Sequence, residues 1–254
     1  MSTIVLIPGA WHTPAHYSEF TTALRALGHE VHVPRLPSLN GARPPNADLE
    51  TDSDLIRTYV ESLASAGRLI TVLMHSYGGQ VGTNALEGLG AKTRVAQGLP
   101  GGVVGLVYIA AAALTEGRSM RDFVVEHGHG HLLDLAFNFA EDRTCVSADP
   151  KMLVVGAGRS DADTDAYIAT LQRWNGNGFD GKLSACAWRD IRNVGYVHAT
   201  LDMTMPLDYQ KDYVQILRDG GCTVRTWELE TGHCPTFTMF EEVARIVSEF
   251  VGGK

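Results

Sequence analysis

Apolar residues along this chain follow two rhythms. Short runs, several of them apolar at consecutive positions, occur at Ile4–Ile7, Val31–Val33, Leu69–Met74, Val103–Ala110, Tyr196–Ala199 and Val224–Leu229. Runs of this kind are expected of strands covered on both faces of a parallel sheet. Between them, apolar side chains recur every three or four positions. Tyr17, Phe20, Leu24 and Leu27 are one such face, stopped by Gly28. Ile56, Tyr59, Val60 and Leu63 make a second, Tyr209, Tyr213, Ile216 and Leu217 a third, and Val243, Ile246, Val247 and Phe250 a last one. That spacing predicts amphipathic helices. Strands alternating with helices build crossover units, so the expected fold is α/β with a doubly wound, mostly parallel sheet.

Two stretches break the alternation. Residues 35–48 are rich in Pro, Asn and Gly and read as a loop at the rim of the sheet. Residues 113–193 carry helical pieces and an Asn-Gly-Asn-Gly turn at Asn175–Gly178 but no clean strand. An unstructured loop of that length is not expected inside a compact domain. The stretch therefore reads as a mainly helical cap inserted after the strand near 103–110. Residues 1–112 and 194–254 then form the core.

Composition narrows the class. A chain of 254 residues, 44% hydrophobic and 20% charged, has the makings of a globular core and not of a disordered segment. Its net charge of −8, with no long run of one sign, argues against a nucleic-acid or anionic-membrane surface. The four cysteines show no metal or disulfide framework and read as free thiols in a reducing compartment. No apolar run approaches the roughly 18 residues that span a bilayer. The N-terminus lacks a basic, signal-like start, so the expectation is a cytoplasmic protein.

Candidate chemistry sits at the ends of the predicted strands. In Thr71-Val-Leu-Met-His-Ser-Tyr-Gly-Gly-Gln80 an apolar strand runs into a helix through Ser76. A serine on so sharp a turn is held exposed, with the helix N-terminus and its free amides behind it. Met74 stands where the usual G-x-S-x-G pattern has its first glycine. In Leu6-Ile-Pro-Gly-Ala-Trp-His12 a glycine turn ends the first strand. It can aim the Ala10 amide at the same point as the Tyr77 amide, giving two donors for an oxyanion. His233, in Leu229-Glu-Thr-Gly-His-Cys-Pro235, lies on the loop after the last strand, where a general base would reach Ser76. Asp202 ends the preceding strand and is the candidate acid; Asp208 lies past Pro206 and reads as a first-turn helix residue. The order Ser76, Asp202, His233 is that of the α/β-hydrolase constellation. His12, His16, His29, His75 and His198 read as surface, capping or sheet-end residues.

Taken together, "LIPGAWH", "MHSYGGQ", "YVHATLDMTMP" and "ETGHCP" resemble the α/β-hydrolase superfamily, and within it the plant-type methylesterase/hydroxynitrile lyase group with its microbial relatives. The resemblance implies Ser76 as nucleophile, Asp202 and His233 as its partners, and Ala10 with Tyr77 as oxyanion donors. It also bears on the reaction. Cyanohydrin-cleaving members tend to carry Thr where this chain has Gly9 and Lys where it has Cys234. Without that cation, ester hydrolysis is the expectation. Carbon–carbon cleavage, of the retro-Claisen or hydroxynitrile lyase kind, and a lactone-binding receptor are the alternatives.

His127-Gly-His-Gly-His131 could turn three imidazoles toward a metal, but lacks a fourth ligand and reads as a solvated cap loop. Gly98–Gly102 opens no phosphate loop. The expectation is thus a serine hydrolase without cofactor or metal, acting on a small-molecule ester or lactone. A homodimer is left open as its assembly.

Overall fold

In the computed structural model, which describes residues 2–253, the chain opens with strand β1 (Thr3–Ile7), a short 3₁₀ turn and helix α1 (Ser18–Ala26). Strand β2 (Glu30–His32) and the loop that follows lead to α2 (Leu49–Ser65), whose first turn is capped by the Asp48 carboxylate on the Thr51 amide. Strand β3 (Leu69–His75) runs into α3 (Tyr77–Ala85), then α4 (Ala91–Ala96) and β4 (Gly102–Ile109). The stretch that follows holds α5 (Met120–Glu126), α6 (Leu133–Ala136), β5 (Phe137–Phe139), β6 (Thr144–Ser147), α7 (Asp161–Ile168) and β7 (Trp174–Asn175). Strand β8 (Asn193–Ala199), α8 (Leu207–Asp219), β9 (Thr223–Leu229), α9 (Pro235–Thr238) and α10 (Phe240–Gly252) complete the chain.

The main sheet has six strands in the order β2-β1-β3-β4-β8-β9, and every neighbouring pair is parallel. Alternate side chains serve opposite faces, as the two-residue period of a strand requires. Ile4, Leu6, Leu73, Val107 and Val197 pack with Phe20 and Leu24 of α1 and with Val243, Val247 and Phe250 of α10. Val5, Ile7, Val72, Leu106 and Tyr196 face the other way, onto Ile56 and Val60 of α2, Val81 of α3 and Leu217 of α8. All six predicted strands form, each within a few residues of its expected bounds.

The stretch between β4 and β8 adds nothing to this sheet. Besides its helices it carries β5, β6 and β7, which pair antiparallel into a separate three-stranded sheet. The sequence pattern does not announce these strands. They are two to four residues long, too short for an alternation to register. No helix among the described residues is long and apolar enough to cross a membrane.

Candidate active site

Strands β3 and β4 run directly into residues of positive φ, Ser76 (52°) and Ala110 (43°), and the turn after neighbouring β1 holds a third, Trp11 (65°). Non-glycine residues avoid that region, and such strain gathers at functional sites. Ser76, with ψ −121°, is the hinge between β3 and α3. The helix behind it comes in close because its first turn has no side chains in the way. A Cβ on Gly78 would lie 2.4 Å from the Ile7 carbonyl oxygen, and one on Gly79 2.5 Å from that of Ala112. Met74 finds its room in the same manner. Its sulfur occupies the space a Cβ on Gly82 would take, 2.4 Å away. The bulk added two residues before the serine is thus accommodated one turn into the helix.

Ser76 Oγ lies 2.8 Å from His233 Nε2, and His233 Nδ1 lies 2.6 Å from Asp202 Oδ2. The side chains of His233 and Asp202 are almost wholly buried. A carboxylate only accepts, so Nδ1 carries the imidazole proton and Nε2 faces the serine as an acceptor. The other carboxylate oxygen of Asp202 takes the Thr204 and Met205 amides, each at 2.8 Å. Asp208 stays on the exposed first turn of α8, away from this chain of bonds. The loop bearing His233 is held down by Gly232, where a Cβ would meet the Val155 carbonyl oxygen at 2.3 Å.

Ala10 and Tyr77 end up at the tips of β1 and β3, on either side of Ser76. Among the described residues, neither backbone amide donates to another protein group. The Tyr77 side chain points away and its hydroxyl is 3.0 Å from Asp52, which also accepts from the Ser38 amide (2.9 Å) and hydroxyl (2.6 Å). Among the described residues no cation pairs with this carboxylate, and burial pushes its pKa up to about 6.

Two histidines read from sequence as incidental are buried beside the serine. His75 donates from Nε2 to the His233 carbonyl oxygen (2.9 Å) and accepts on Nδ1 from the Tyr17 hydroxyl (2.8 Å). Burial, with His233 nearby, drives its pKa down to about 3. His12 donates from Nδ1 to the Ala10 carbonyl (2.6 Å), which leaves Nε2 to accept from the Cys234 thiol at 3.4 Å. Burial raises the Cys234 pKa, so the thiol stays protonated. Their side chains share no spacing pattern with Ser76, and only the adjacency of His75 to the serine hinted at a role. The histidines at 127–131 scatter instead: His127 pairs with Asp212, His129 with the Tyr209 hydroxyl, and His131 with the Gly128 carbonyl. The described residues hold no cluster of three or more His, Cys, Asp or Glu fit for a metal ion.

A cavity of about 220 Å³ lies between the β4–β8 stretch and the loop after Asp202. Its walls are almost entirely apolar, from Met120, Leu133, Phe137 and Phe179 on one side to Met205 and Tyr213 on the other. Three of these walls belong to segments that build the site. Phe137 stacks on Trp11, next to Ala10; Phe179 follows Gly178, which abuts the Tyr77 ring; and Met205 gives its amide to Asp202.

With this geometry in place, the comparisons with known proteins fall into line. Residues 4–246 match the sequence model of the alpha/beta hydrolase family, and the chain belongs to that family. The Phoma sp. protein named "Probable hydrolase R7" is 28% identical over 251 residues, 98% of each chain. Among solved structures, a pyrethroid hydrolase from Sphingobium faniae JZ-2 aligns over 99% of this chain and 97% of its own, with a TM-score of 0.71 and 22% identity. The methylesterase MES16 from Arabidopsis aligns over 100% of both chains, with a TM-score of 0.75 and 13% identity. At these identities the structural likenesses establish the fold.

Proposed function

We propose that this protein is a serine esterase that cleaves a small carboxylic ester or lactone carrying an apolar group. The observation that carries the reading is the continuous line from Asp202 through His233 to Ser76 Oγ, at 2.6 and 2.8 Å, ending on a serine in the strained conformation of a nucleophile elbow. Ser76 Oγ attacks the carbonyl carbon while its proton passes to His233 Nε2. The oxyanion is received by the Ala10 and Tyr77 amides, and such donors are typically worth 100-fold or more in rate each. Asp202 holds the imidazole by Nδ1 and stabilises the imidazolium. His233 then protonates the leaving alkoxide. Water, activated by the same nitrogen, adds to the acyl-enzyme and releases the acid.

Support for an ester comes from the company the fold keeps: the pyrethroid hydrolase, the methylesterase and polyneuridine aldehyde esterase all share it. Support for an apolar group comes from the cavity, whose walls offer little to a charged ligand. The β4–β8 stretch, residues 113–193, would act as the cap that selects that group. Carbon–carbon cleavage has less in its favour. A neutral Cys234 thiol turned toward His12 offers no cation to a departing cyanide, and a Cβ on Gly9 would press on His75 and Ser76 at 3.0 Å.

The test is a panel of p-nitrophenyl and methyl esters, lactones, β-diketones and mandelonitrile, run on wild type and Ser76→Ala. Saturable ester or lactone turnover that the substitution removes is the expected result. Saturable cyanide release without ester turnover would replace this reading by the lyase one.

A further inference from the structure

We infer that Tyr17 and His75 form a positioning relay tying the turn that carries the Ala10 amide to the loop that carries His233. The inference rests on the serine-esterase reading above and adds two residues to it. Its path is continuous. The Gly9 amide lies 2.9 Å from the Tyr17 hydroxyl oxygen, that oxygen 2.8 Å from His75 Nδ1, and His75 Nε2 2.9 Å from the His233 carbonyl oxygen.

With the buried ring neutral, only one assignment of protons satisfies the whole path. An amide can only donate and a carbonyl can only accept. Tyr17 therefore accepts from Gly9 and donates to Nδ1, and His75 is the neutral ring with its proton on Nε2. Tyr17 and His75 are both fully buried, so neither can trade these bonds for water. Bonds in series polarise one another, and a buried path satisfied at every step resists distortion. Gly9 is part of the design. A Cβ there would sit 3.0 Å from both His75 Nδ1 and Ser76 Cβ, so a larger residue would wedge the turn away from the ring.

The consequence is that the base is held at two points. Asp202 fixes the imidazole through its side chain, and His75 fixes the backbone that bears it. The far end of the same path holds the residue before the Ala10 amide. Oxyanion donor and general base are thereby set at a constant separation. Displacements near 1 Å in such an arrangement can cost about 100-fold in rate. Neither Tyr17 nor His75 touches the reacting atoms; both act through their neighbours.

The full-length chain is assayed for kcat and KM on a p-nitrophenyl ester, for the rate of fluorophosphonate labelling at Ser76, and for Tm. Tyr17→Phe is expected to lower kcat and the labelling rate together by ~10- to 100-fold, with KM within about twofold. His75→Gln, which keeps an N–H for the His233 carbonyl, is expected to lose less than His75→Ala. Tyr17→Phe combined with His75→Ala should be no slower than His75→Ala alone, because both substitutions cut one path. A folded Tyr17→Phe that labels at the wild-type rate, whatever its Tm, overturns the relay, as does strict additivity of the two losses. Should Tyr17→Phe not fold, equal losses in His75→Gln and His75→Ala overturn it instead. Those outcomes leave the esterase reading standing. Wild type that neither labels nor hydrolyses any ester ends that reading and the relay with it.

Discussion

Two regions meet near Ser76, and they are built by different means. On the sheet side, the loops after β1, β3, β8 and β9 are locked by buried hydrogen bonds of defined direction: Tyr17 to His75, His75 to His233, His233 to Asp202, and the Thr204 and Met205 amides to Asp202. On the other side, the β4–β8 stretch meets the core through aromatic and apolar surfaces together with scattered hydrogen bonds, such as those from Gln80 to the Gly178 and Gly181 carbonyls and from Arg159 to the Phe237 carbonyl. Trp11 stacks on Phe137 and crosses Trp174 edge-on, and its indole N–H bonds to the Cys145 carbonyl. Several of its ion pairs, such as Lys151 with Asp161, are exposed and worth little. Directional bonds tolerate no misplacement, whereas apolar contacts accept residues of altered size at modest cost. The difference separates reaction from selectivity. On the proposed reading, chemistry belongs to the rigid side and choice of substrate to the adjustable one.

The most direct way to break this division is Ser76→Ala. Turnover is expected to fall on the order of 10⁶-fold, the scale seen when such a nucleophile is removed, with Tm nearly unchanged. Surviving ester hydrolysis would move the chemistry elsewhere. Asp202→Asn comes next, with an expected loss of about 10⁴-fold in kcat from the wrong imidazole tautomer. Asp208→Asn, at an exposed helix start, should stay within about twofold of wild type. Comparable losses in the two variants would show that the carboxylate at the strand end is not the one that matters.

A smaller effect is expected across the divide. Leu133→Trp adds bulk to the cavity from the β4–β8 stretch, and Ser76, His233 and Asp202 are not among that cavity's walls. It should leave kcat/KM for an acetyl ester within about threefold of wild type, while lowering it for a bulky aryl or branched ester by about 10- to 100-fold, the range one misfitted group commands in an apolar pocket. The contrast is read from a series of p-nitrophenyl esters of increasing acyl size. Uniform loss across the series would mean that the cavity is not where the apolar group goes.

How much of this was legible beforehand follows the same division. All six sheet strands could be read because buried parallel strands leave dense apolar runs. Ser76, Asp202 and His233 could be picked out as candidates because each stands at a strand end in a turn with its own residue signature, and hydrogen bonds then join them across 157 and 31 positions. The roles of Tyr17, His75 and Asp52 could not. Each lies inside an ordinary helix or strand pattern, and its partner is far away in sequence: His75 is 58 residues from Tyr17 and 158 from His233. Met74, in place of the elbow glycine, adds bulk that has to be housed elsewhere. Its remedy, Gly82, is visible in the sequence, but its purpose needs the helix packed on the strand. The short strands β5 to β7 were hidden because two to four residues carry no periodicity.

The smallest expected effect concerns Asp52, which couples the two regions by taking the Tyr77 hydroxyl on one side and, through Ser38, the Trp174 indole on the other. Its pKa stands near 6 in the folded protein against an ordinary value of 3.8, because burial outweighs its three donors. Between those two pH values the folded chain holds a proton that the unfolded chain has lost. Stability from this group is therefore complete below about pH 4 and declines as pH rises through 6. Two units correspond to at most about 3 kcal/mol. Buried histidines complicate the wild-type curve: His75, depressed to about 3, contributes stability that is lost as pH falls below its ordinary value of 6.5. The variant isolates Asp52 from that opposing trend. Asp52→Asn cannot ionise, so its Tm relative to wild type should rise steadily from pH 4 to pH 7, whatever fixed offset the altered hydrogen bonds impose. Ester turnover at pH 7 should change less than threefold, since in the proposed mechanism Tyr77 serves the oxyanion through its amide and not its ring. A Tm difference that is flat across that pH range would show that Asp52 ionises no differently folded than unfolded.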